Sequence, residues 1–411
     1  MPRPVPRLLA GALVLPLVLA GCSGQQLGEE SSSDGPFRVF FTADMTGATA
    51  TLNRALLSGI KVAVDDANAN GGIGGREVEL IENNDQNDPT SAVSALQEQI
   101  NSGNKPDLVY PGGSSAVSLS LLPITTREEI LTIGATVASQ LNDPESFPYH
   151  FGTAELTNAY VPPFGQIANE QGFEKIAMIF ANNPTGQAAE AAYREDLEAA
   201  GMEFVSVGYQ PDALDMTPQL EQLRSQNPDA LIFEGYGTPV QYLMRSRSGM
   251  RWDIPSFSTQ TSSTFPFVDN FSEEELENVR VIQSNWTVDE GETPEEMVEF
   301  IDKVKATPEG DTLAETGVRL PAVSAAAVQL TAWAVEQNEG EADTASIIET
   351  FYESLPEEGG DATPWVTDSK GPNAYRYSED DHFPFSPPEI FLYIEPGMYD
   401  ETGMYVPGKR S

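Results

Sequence analysis

The sequence predicts an α/β protein with two Rossmann-like lobes built on parallel sheets. Short apolar strands alternate with amphipathic helices along most of the chain, which is typical of parallel sheets covered on both faces. After a helix predicted at 158–171 the pattern restarts with a strand at Lys175, which indicates a second lobe. Polar, glycine-rich segments follow several strands, and ligands of such sheets bind outside the carboxyl ends of the strands.

The first half of the chain contains one long helix that defines the pattern. Apolar residues from Leu52 to Ala67 recur at i, i+3 and i+4 over four turns, as an amphipathic helix requires. The stretch 37–42 is apolar without alternation, which favours a strand buried on both faces. Further strands are predicted at 77–82, 108–110, 130–133 and 149–151, and further helices at 89–101, from 114 or 115 onward, and at 158–171.

The second half repeats this order of elements, with right-handed crossovers expected between parallel strands. Residues 182–186 and 259–264 are predicted to be a turn and a loop, and Thr217 to cap a helix. Strands are predicted at 175–180, 203–209, 230–234, 256–258, 279–285 and 391–394, and helices at 187–200, 216–226, 239–248, 294–305, 321–337 and 344–355.

The stretch 107–120, DLVYPGGSSAVSLS, predicts a binding element. A short buried strand ends at Gly112 and Gly113, and a helix begins at Ser114 or Ser115. A helix N-terminus has free backbone N–H groups, and glycines let another molecule approach them. This junction between strand and helix is suited to binding an electron-rich group such as a carboxylate or carbonyl. The alternative is that Ser114 or Ser115 only caps the helix.

Composition excludes several classes of function. The chain has 22 basic and 63 acidic residues, a formal net charge of −41, so we expect no nucleic-acid partner. The acidity suits either a high-salt habitat or an ordinary solvated surface. A single cysteine precludes an internal disulfide. With only His150 and His382 available, both expected to be packing or surface residues, we expect no metal site and no cofactor.

The N-terminus predicts an exported lipoprotein. A basic start with Arg3 and Arg7 is followed by an apolar run at 8–20 and by LAGC at 19–22. This order is typical of a signal peptide, and LAGC resembles the bacterial lipobox. We expect residues 1–21 to be a signal peptide, Cys22 to be lipidated, and 22–35 to be a flexible tether. The protein would then be lipid-anchored on the extracytoplasmic face of the cell membrane.

Several segments in a fixed order resemble one known family. These segments are SGIKVAVDDANANGGIGG at 58–75, NNDQNDP at 83–89, GGSS at 112–115, Pro123 and IGAT at 133–136, with weaker support from 176–186 and 229–237. The chain resembles bacterial solute-binding lipoproteins of the branched-chain amino acid (Leu/Ile/Val) binding family, which serve ABC importers.

The resemblance implies a type I periplasmic binding fold whose chain crosses three times between lobes. It implies a first lobe of 36–153 plus 285–364 and a second of 154–284 plus 365–411. It also implies ligand contacts on both sides of the cleft: hydroxyls and N–H groups for the ligand's carboxylate, contacts from the second lobe, and an apolar wall. The matching positions are, in that order, Ser114, Ser115, Ala135 and Thr136; Thr185, Tyr236, Gln260 and Thr261; and Leu52.

One departure concerns the ligand's ammonium group. Amino-acid binders of this family carry an acid on the loop that matches Gln260 and Thr261, whereas STQTSST at 258–264 has none. A buried ammonium without a charged partner is costly. Asp44 or Glu234 either supplies the charge or is a rim or capping residue. Amino acids, amides, urea-like solutes and small carboxylates therefore all stay open as ligands.

The predicted function is capture of a small polar solute by hinge closure and its delivery to an ABC permease. The alternative is a ligand-sensing subunit of a membrane receptor, since the same fold allows it. An anchored hydrolase is disfavoured because GGSSAVS is not a G-x-S-x-G elbow and histidine is scarce. We expect no enzymatic activity.

Overall fold

The computed structural model describes Met1 and residues 35–289, 293, 295–354, 375–384 and 388–410. From Pro36 onward the described residues form one compact unit. The predicted signal peptide after Met1, the lipidation site Cys22 and nearly all of the tether lie outside the described residues. No described helix combines the length and the apolar character needed to cross a membrane.

The first lobe is built on a five-stranded parallel sheet in the order β2-β1-β3-β4-β5. β1 lies between β2 and β3, with Phe37 opposite Val78 and Val39 opposite Leu108. The sequence begins this sheet with the strand that is apolar on both faces, which is the pattern a central strand requires. The strands are β1 (Phe37–Ala43), β2 (Val78–Asn84), β3 (Leu108–Tyr110), β4 (Leu131–Gly134) and β5 (His150–Gly152).

The second lobe is built on a six-stranded sheet in the order β11-β10-β9-β8-β6-β7. Adjacent strands of this sheet run parallel, except for β10 and β11, which pair antiparallel. The edge strand β11 comes from the C-terminal part of the chain and runs opposite to the other strands of this sheet. The strands are β6 (Lys175–Ala181), β7 (Glu203–Tyr209), β8 (Ala230–Phe233), β9 (Ser256–Ser258), β10 (Val279–Ser284) and β11 (Phe391–Ile394).

Helices cover both sheets and bury their apolar faces against them. The first lobe carries α1 (Ala50–Ala69), α2 (Pro89–Asn101), α3 (Ser115–Arg127), and, after the helices of the second lobe, α11 (Glu295–Ala306), α12 (Leu313–Thr316), α13 (Arg319–Gln337) and α14 (Thr344–Glu353). The second lobe carries α4 (Val161–Gln171), α5 (Pro184–Ala199), α6 (Thr217–Arg224), α7 (Thr238–Gly249), α8 (Gln260–Ser263), α9 (Phe267–Asn270) and α10 (Glu273–Leu276). A C-terminal hairpin of β12 (Gly397–Tyr399) and β13 (Tyr405–Pro407) follows.

The helix pair α1 and α13 forms the core of the first lobe. A Cβ on Gly59 of α1 would overlap the carbonyl oxygen of Pro321, so the absence of a side chain lets the two backbones approach. Ser324 then donates a hydrogen bond of 2.7 Å from its Oγ to the carbonyl oxygen of Leu56. This contact fixes α1, and with it the cleft residues at the start of α1.

The order of the described segments on the two lobes requires three crossings of the chain, as predicted. The crossings follow β5, β10 and residue 384. The segment 375–384 differs from the predicted boundary, which assigned it to the second lobe. Tyr377 Oη donates to the carbonyl oxygen of Gly152 at 2.6 Å, and the Tyr377 ring lies 5.0 Å from that of Phe151. Aromatic packing against β5 holds this segment on the first lobe.

Three local predictions are wrong at helix starts. The predicted turn 182–186 contains the first turn of α5, because Asn183 Oδ1 accepts from the N–H of Gly186 at 2.9 Å and proline occupies the first helical turn. Thr217 is not a cap, since it is the first residue of α6 and Met216 precedes it. The predicted loop 259–264 contains the short helix α8.

The two histidines are buried together although they are far apart in sequence. The His382 ring stacks on Phe151 at 4.1 Å, and its Nε2 lies 2.6 Å from the Tyr352 hydroxyl. Burial lowers the pKa of His150 to about 3 and also lowers that of His382. They are packing residues, as expected. No cluster of potential metal ligands occurs among the described residues.

Candidate functional site

A cavity of about 210 Å³ lies between the two lobes. The first lobe contributes the start of α1, including Leu52, together with Glu315 of α12. The second lobe contributes Tyr236, Gln241 and Phe265. Because both lobes supply walls, a molecule bound here would contact both, and its binding would be linked to their relative position.

The loop before α1 is held by Asp44. The Asp44 carboxylate accepts hydrogen bonds from the N–H of Gly47 at 2.6 Å, the Thr49 hydroxyl at 2.9 Å and the N–H of Thr46 at 3.2 Å. Burial on its own would raise the pKa of Asp44, but these hydrogen bonds lower it overall. Asp44 therefore organises the loop that forms one wall of the cavity.

Asn53 connects α1 to the start of α3. Its Nδ2 donates to the carbonyl oxygen of Asp44 at 3.0 Å, and its Oδ1 accepts from the N–H of Gly113 at 3.0 Å. A Cβ on Gly113 would lie 2.6 Å from a methyl carbon of Leu52. The glycine therefore lets the predicted binding loop lie directly against the cavity wall.

The start of α3 touches the opposite lobe. Ser114 occupies the N-cap position, but its side chain makes no capping hydrogen bond. The capping alternative is therefore wrong for Ser114. Ser115 is buried, and its Oγ accepts a hydrogen bond of 3.1 Å from Thr185 Oγ1 at the start of α5. Two residues predicted to contact one ligand from opposite sides thus contact each other.

The residues that follow β4 lie beside α3 on the first lobe. Thr136 is buried, and its Oγ1 lies 3.4 Å from Ser118 Oγ on the inner face of α3. Ala135 is half-buried beside it. The structure thus brings Ser115 and Thr136 to neighbouring elements at the carboxyl ends of β3 and β4, where the sequence predicts ligand contacts.

Tyr236 and Gly237 bring the second lobe against the first. Tyr236 lies beside the side chain of Asn87; burial raises the pKa of Tyr236, with further increases from the charges of Glu234 and Asp44. Gly237 has φ 66°, and a Cβ there would lie 2.9 Å from the carbonyl oxygen of Ala48. A residue without a side chain is needed both for this conformation and for this approach.

Glu234 is a buried acid beneath the second-lobe loops. Its Oε2 accepts from the N–H of Ala181 at 2.9 Å, and its Oε1 accepts from Thr261 Oγ1 at 3.3 Å. Burial raises the pKa of Glu234 to about 7 against the opposing effect of these hydrogen bonds. Gln260 and Thr261 are half-buried in α8. The segment 258–264, which has no acid of its own, thus hydrogen-bonds through Thr261 to Glu234, the residue that follows β8.

Some cavity residues were not predicted as site residues. Gln241, Phe265, Asn270 and Glu315 line the cavity. They lie on helices or on loops without a recognisable motif, and tertiary packing alone brings them to Leu52 and Tyr236.

The fold and the sequence place the chain among bacterial binding proteins. A profile of the periplasmic binding protein family matches residues 36–382, and the chain belongs to this family. The predicted α/β class and two-lobed architecture are therefore confirmed.

Individual relatives share low sequence identity with this chain. The Leu/Ile/Val/Thr-binding protein of Salmonella typhimurium is 24% identical over 230 residues, which are 56% of this chain and 62% of that protein. The alignment thus spans less than two thirds of that relative. An extracellular ligand-binding receptor from Rhodopseudomonas palustris HaA2 has a TM-score of 0.73 at 16% identity, covering 91% of this chain and 99% of that one.

A second solved structure is a solute-binding protein of an ABC transporter from Rhodopseudomonas palustris BisB5, in complex with 3,4-dihydroxybenzoic acid. It has a TM-score of 0.65 at 18% identity, covering 77% of this chain and 85% of that chain. These relatives are named as binding proteins and receptors, with different kinds of ligand among them. The likeness in structure establishes the fold and leaves the ligand of this chain to its own residues.

Proposed function

We propose that this protein captures a small polar solute in the cleft between its lobes and delivers it to an ABC permease. The observation that carries this proposal is the cavity, which has Leu52 on one lobe and Tyr236 on the other. A ligand that contacts both lobes favours the closed arrangement by its difference in affinity between the open and closed states.

The proposed ligand site includes the residues that the resemblance implied. Ser115 and Thr185 contact each other across the cleft, so a solute entering between them would exchange one hydroxyl contact for several of its own. Ligand contacts are proposed at Ser114, Ser115, Ala135, Thr136, Thr185, Tyr236, Gln260, Thr261 and Leu52. Their hydroxyl, amide and N–H groups suit amino acids, amides, urea-like solutes or small carboxylates.

A thermal-shift screen of the purified protein with these four solute classes tests capture, because a ligand of the folded state raises the melting temperature. We expect at least one class to stabilise the protein. Tyr236→Ala should then weaken binding by roughly tenfold or more, whereas Tyr242→Ala, on α7 outside the cavity lining, should not. Binding that is unchanged by Tyr236→Ala would place the ligand elsewhere.

Extracytoplasmic location and a lipid anchor at Cys22 form part of the proposal, supported by the lipobox-like LAGC and the family. Cys22→Ser should release the protein from membranes on fractionation, and its continued retention there would contradict the anchor.

The proposed lobe boundaries are 36–153 plus 285–364 and 154–284 plus 365–411, with 375–384 moved to the first lobe. Loss of solute uptake on deletion of a neighbouring permease would support delivery rather than sensing.

A further inference from the structure

The cavity carries charge of one sign. Among the described residues, Glu315 is the one lining side chain that is charged at neutral pH, and no lysine, arginine or histidine lines the cavity. Arg54, one turn along α1 from Thr51, is held by Asp311 at 2.7 Å. A ligand in this cavity therefore meets a carboxylate and no cationic side chain.

Two further acids act on the same space from beneath the lining. The negative charges of Glu234 and Asp44 both contribute to raising the pKa of Tyr236, whose ring forms one wall. Their fields reach a lining side chain from the second and the first lobe respectively. Field from like charges on both sides favours a cation and opposes an anion in a partly desolvated cleft.

Glu234 differs from two other buried glutamates, Glu155 and Glu309, in the described part of the chain. Glu155 is paired with Arg319 at 2.6 Å, and Glu309 with Lys61 at 2.8 Å. Glu234 is fully buried and accepts one N–H and one hydroxyl, with no ion pair among the described residues. A buried carboxylate without a cation is costly, and a positive charge placed in the adjacent cleft would reduce that cost.

The cavity walls also suit a cation. Tyr236 and Phe265 both line it, and aromatic faces attract ammonium and guanidinium groups. The hydroxyl oxygens of Thr49 and Thr264, which also line the cavity, can accept N–H groups as well as donate to an oxygen.

We propose that the cavity selects small organic compounds of net positive charge, with an ammonium or amidinium group between Tyr236 and Glu315 and with Glu234 as the buried counter-charge. This inference rests on the proposed solute capture and narrows its ligand class. It departs from the carboxylate that the resemblance implied for Ser115 and Thr136.

Three compounds of nearly equal shape isolate the charge: benzamidine as the cation, benzamide as the neutral compound and benzoate as the anion. Calorimetric titration at pH 8 and low salt, with Glu234 ionised, measures each affinity. We expect benzamidine to bind at least about tenfold more tightly than benzamide, because its positive charge makes one contact with a carboxylate that the neutral compound cannot make. We expect benzoate not to bind. Benzoate binding as tight as that of benzamidine would overturn the charge selectivity and leave solute capture intact.

The aliphatic series n-butylammonium, butyramide and butyrate is measured in parallel, so that the result does not depend on a ring. Preference for the cation in either series supports the inference. Absence of binding in both series, together with no stabiliser in the four-class screen, would overturn solute capture and this inference with it. Absence in both series alongside a neutral or anionic stabiliser would overturn only the charge selectivity.

Variants assign the selectivity to residues. Glu315→Gln and Glu234→Gln should each lower the cation-to-neutral affinity ratio several-fold, while Glu349→Gln, the same change of charge on the exposed face of α14, should leave it unchanged. Glu315 is exposed, so its variant should fold even if Glu234→Gln does not. An unchanged ratio in the Glu315 variant and in a folded Glu234 variant would contradict the assignment.

Discussion

The hydroxyl groups of Ser115 and Thr185 lie 3.1 Å apart, on helices that belong to different lobes. Both helices begin at the carboxyl end of a parallel strand, and both side chains are buried. Together with the contacts of Tyr236 with Asn87 and of Gly237 with Ala48, this bond joins the lobes across the cleft. The lobes therefore touch through polar side chains and through one close approach of their backbones.

Removing this bond should favour the open cleft. In Thr185→Val the hydroxyl donor is lost at nearly constant volume, and one such bond contributes about 1 kcal/mol. We expect a larger radius of gyration by small-angle X-ray scattering without ligand. Ser118→Ala is the control, since its Oγ donates to the carbonyl oxygen of Ser114 within the first lobe. Equal radii for Thr185→Val and the unchanged protein would show that this bond does not hold the lobes.

Glu234 should make stability depend on pH. Its pKa is raised from 4.5 to about 7, so the folded state binds more protons than the unfolded state between these values. Stability should therefore fall as pH rises from about 4.5 to about 7, by on the order of 3 kcal/mol, and Glu234→Gln should remove this part of the fall. Urea unfolding at pH 5 and pH 8 measures it, with Glu349→Gln as control. Parallel pH profiles of the unchanged protein and Glu234→Gln would refute the shift.

Substitution of Arg319 should destabilise the protein more than substitution of a more exposed charged residue. It is buried and pairs with Glu155 at 2.6 Å, beside the Tyr160 hydroxyl at 3.1 Å. Arg319→Gln leaves Glu155 buried with its cation removed, which should cost about 3–5 kcal/mol of unfolding free energy. The more exposed pair of Arg54 and Asp311 supplies the control, because Arg54→Gln should cost less than about 1 kcal/mol. Similar losses in the two variants would contradict this account.

Gly59 and Gly165 compare close packing with helix propensity. Gly59→Ala should destabilise the protein, because the new Cβ would overlap Pro321, whereas Gly165→Ala on α4 meets nothing within 4 Å. Alanine in a helix is favoured over glycine by up to about 1 kcal/mol, so Gly165→Ala should be neutral or stabilising. Thermal unfolding measures both. A stable Gly59→Ala variant would mean that α1 and α13 can separate without cost.

Most of the elements follow from local pattern. The limits of α2, β3, β7, β9 and β11 coincide with those predicted, because apolar runs there are bounded by proline, glycine or polar residues. The errors at α5 and α8 arise where polar side chains begin a helix instead of a turn. Asn183 illustrates this, since the same residue type favours both structures and its bond to Gly186 decides between them.

The sequence by itself determined the α/β class, the two-lobed order of elements and the polar, glycine-rich segments that follow the strands. The spacing of apolar residues and the choice of turn residues, which carry this information, are local properties of the chain. Only the tertiary structure decided which residues meet. It placed Thr185 on Ser115, Thr261 on Glu234, and segment 375–384 on the first lobe. It also placed Phe265 and Glu315 around one cavity. These contacts join residues from distant parts of the chain, and packing geometry, which has no local signature, sets their distances and the charge of the site.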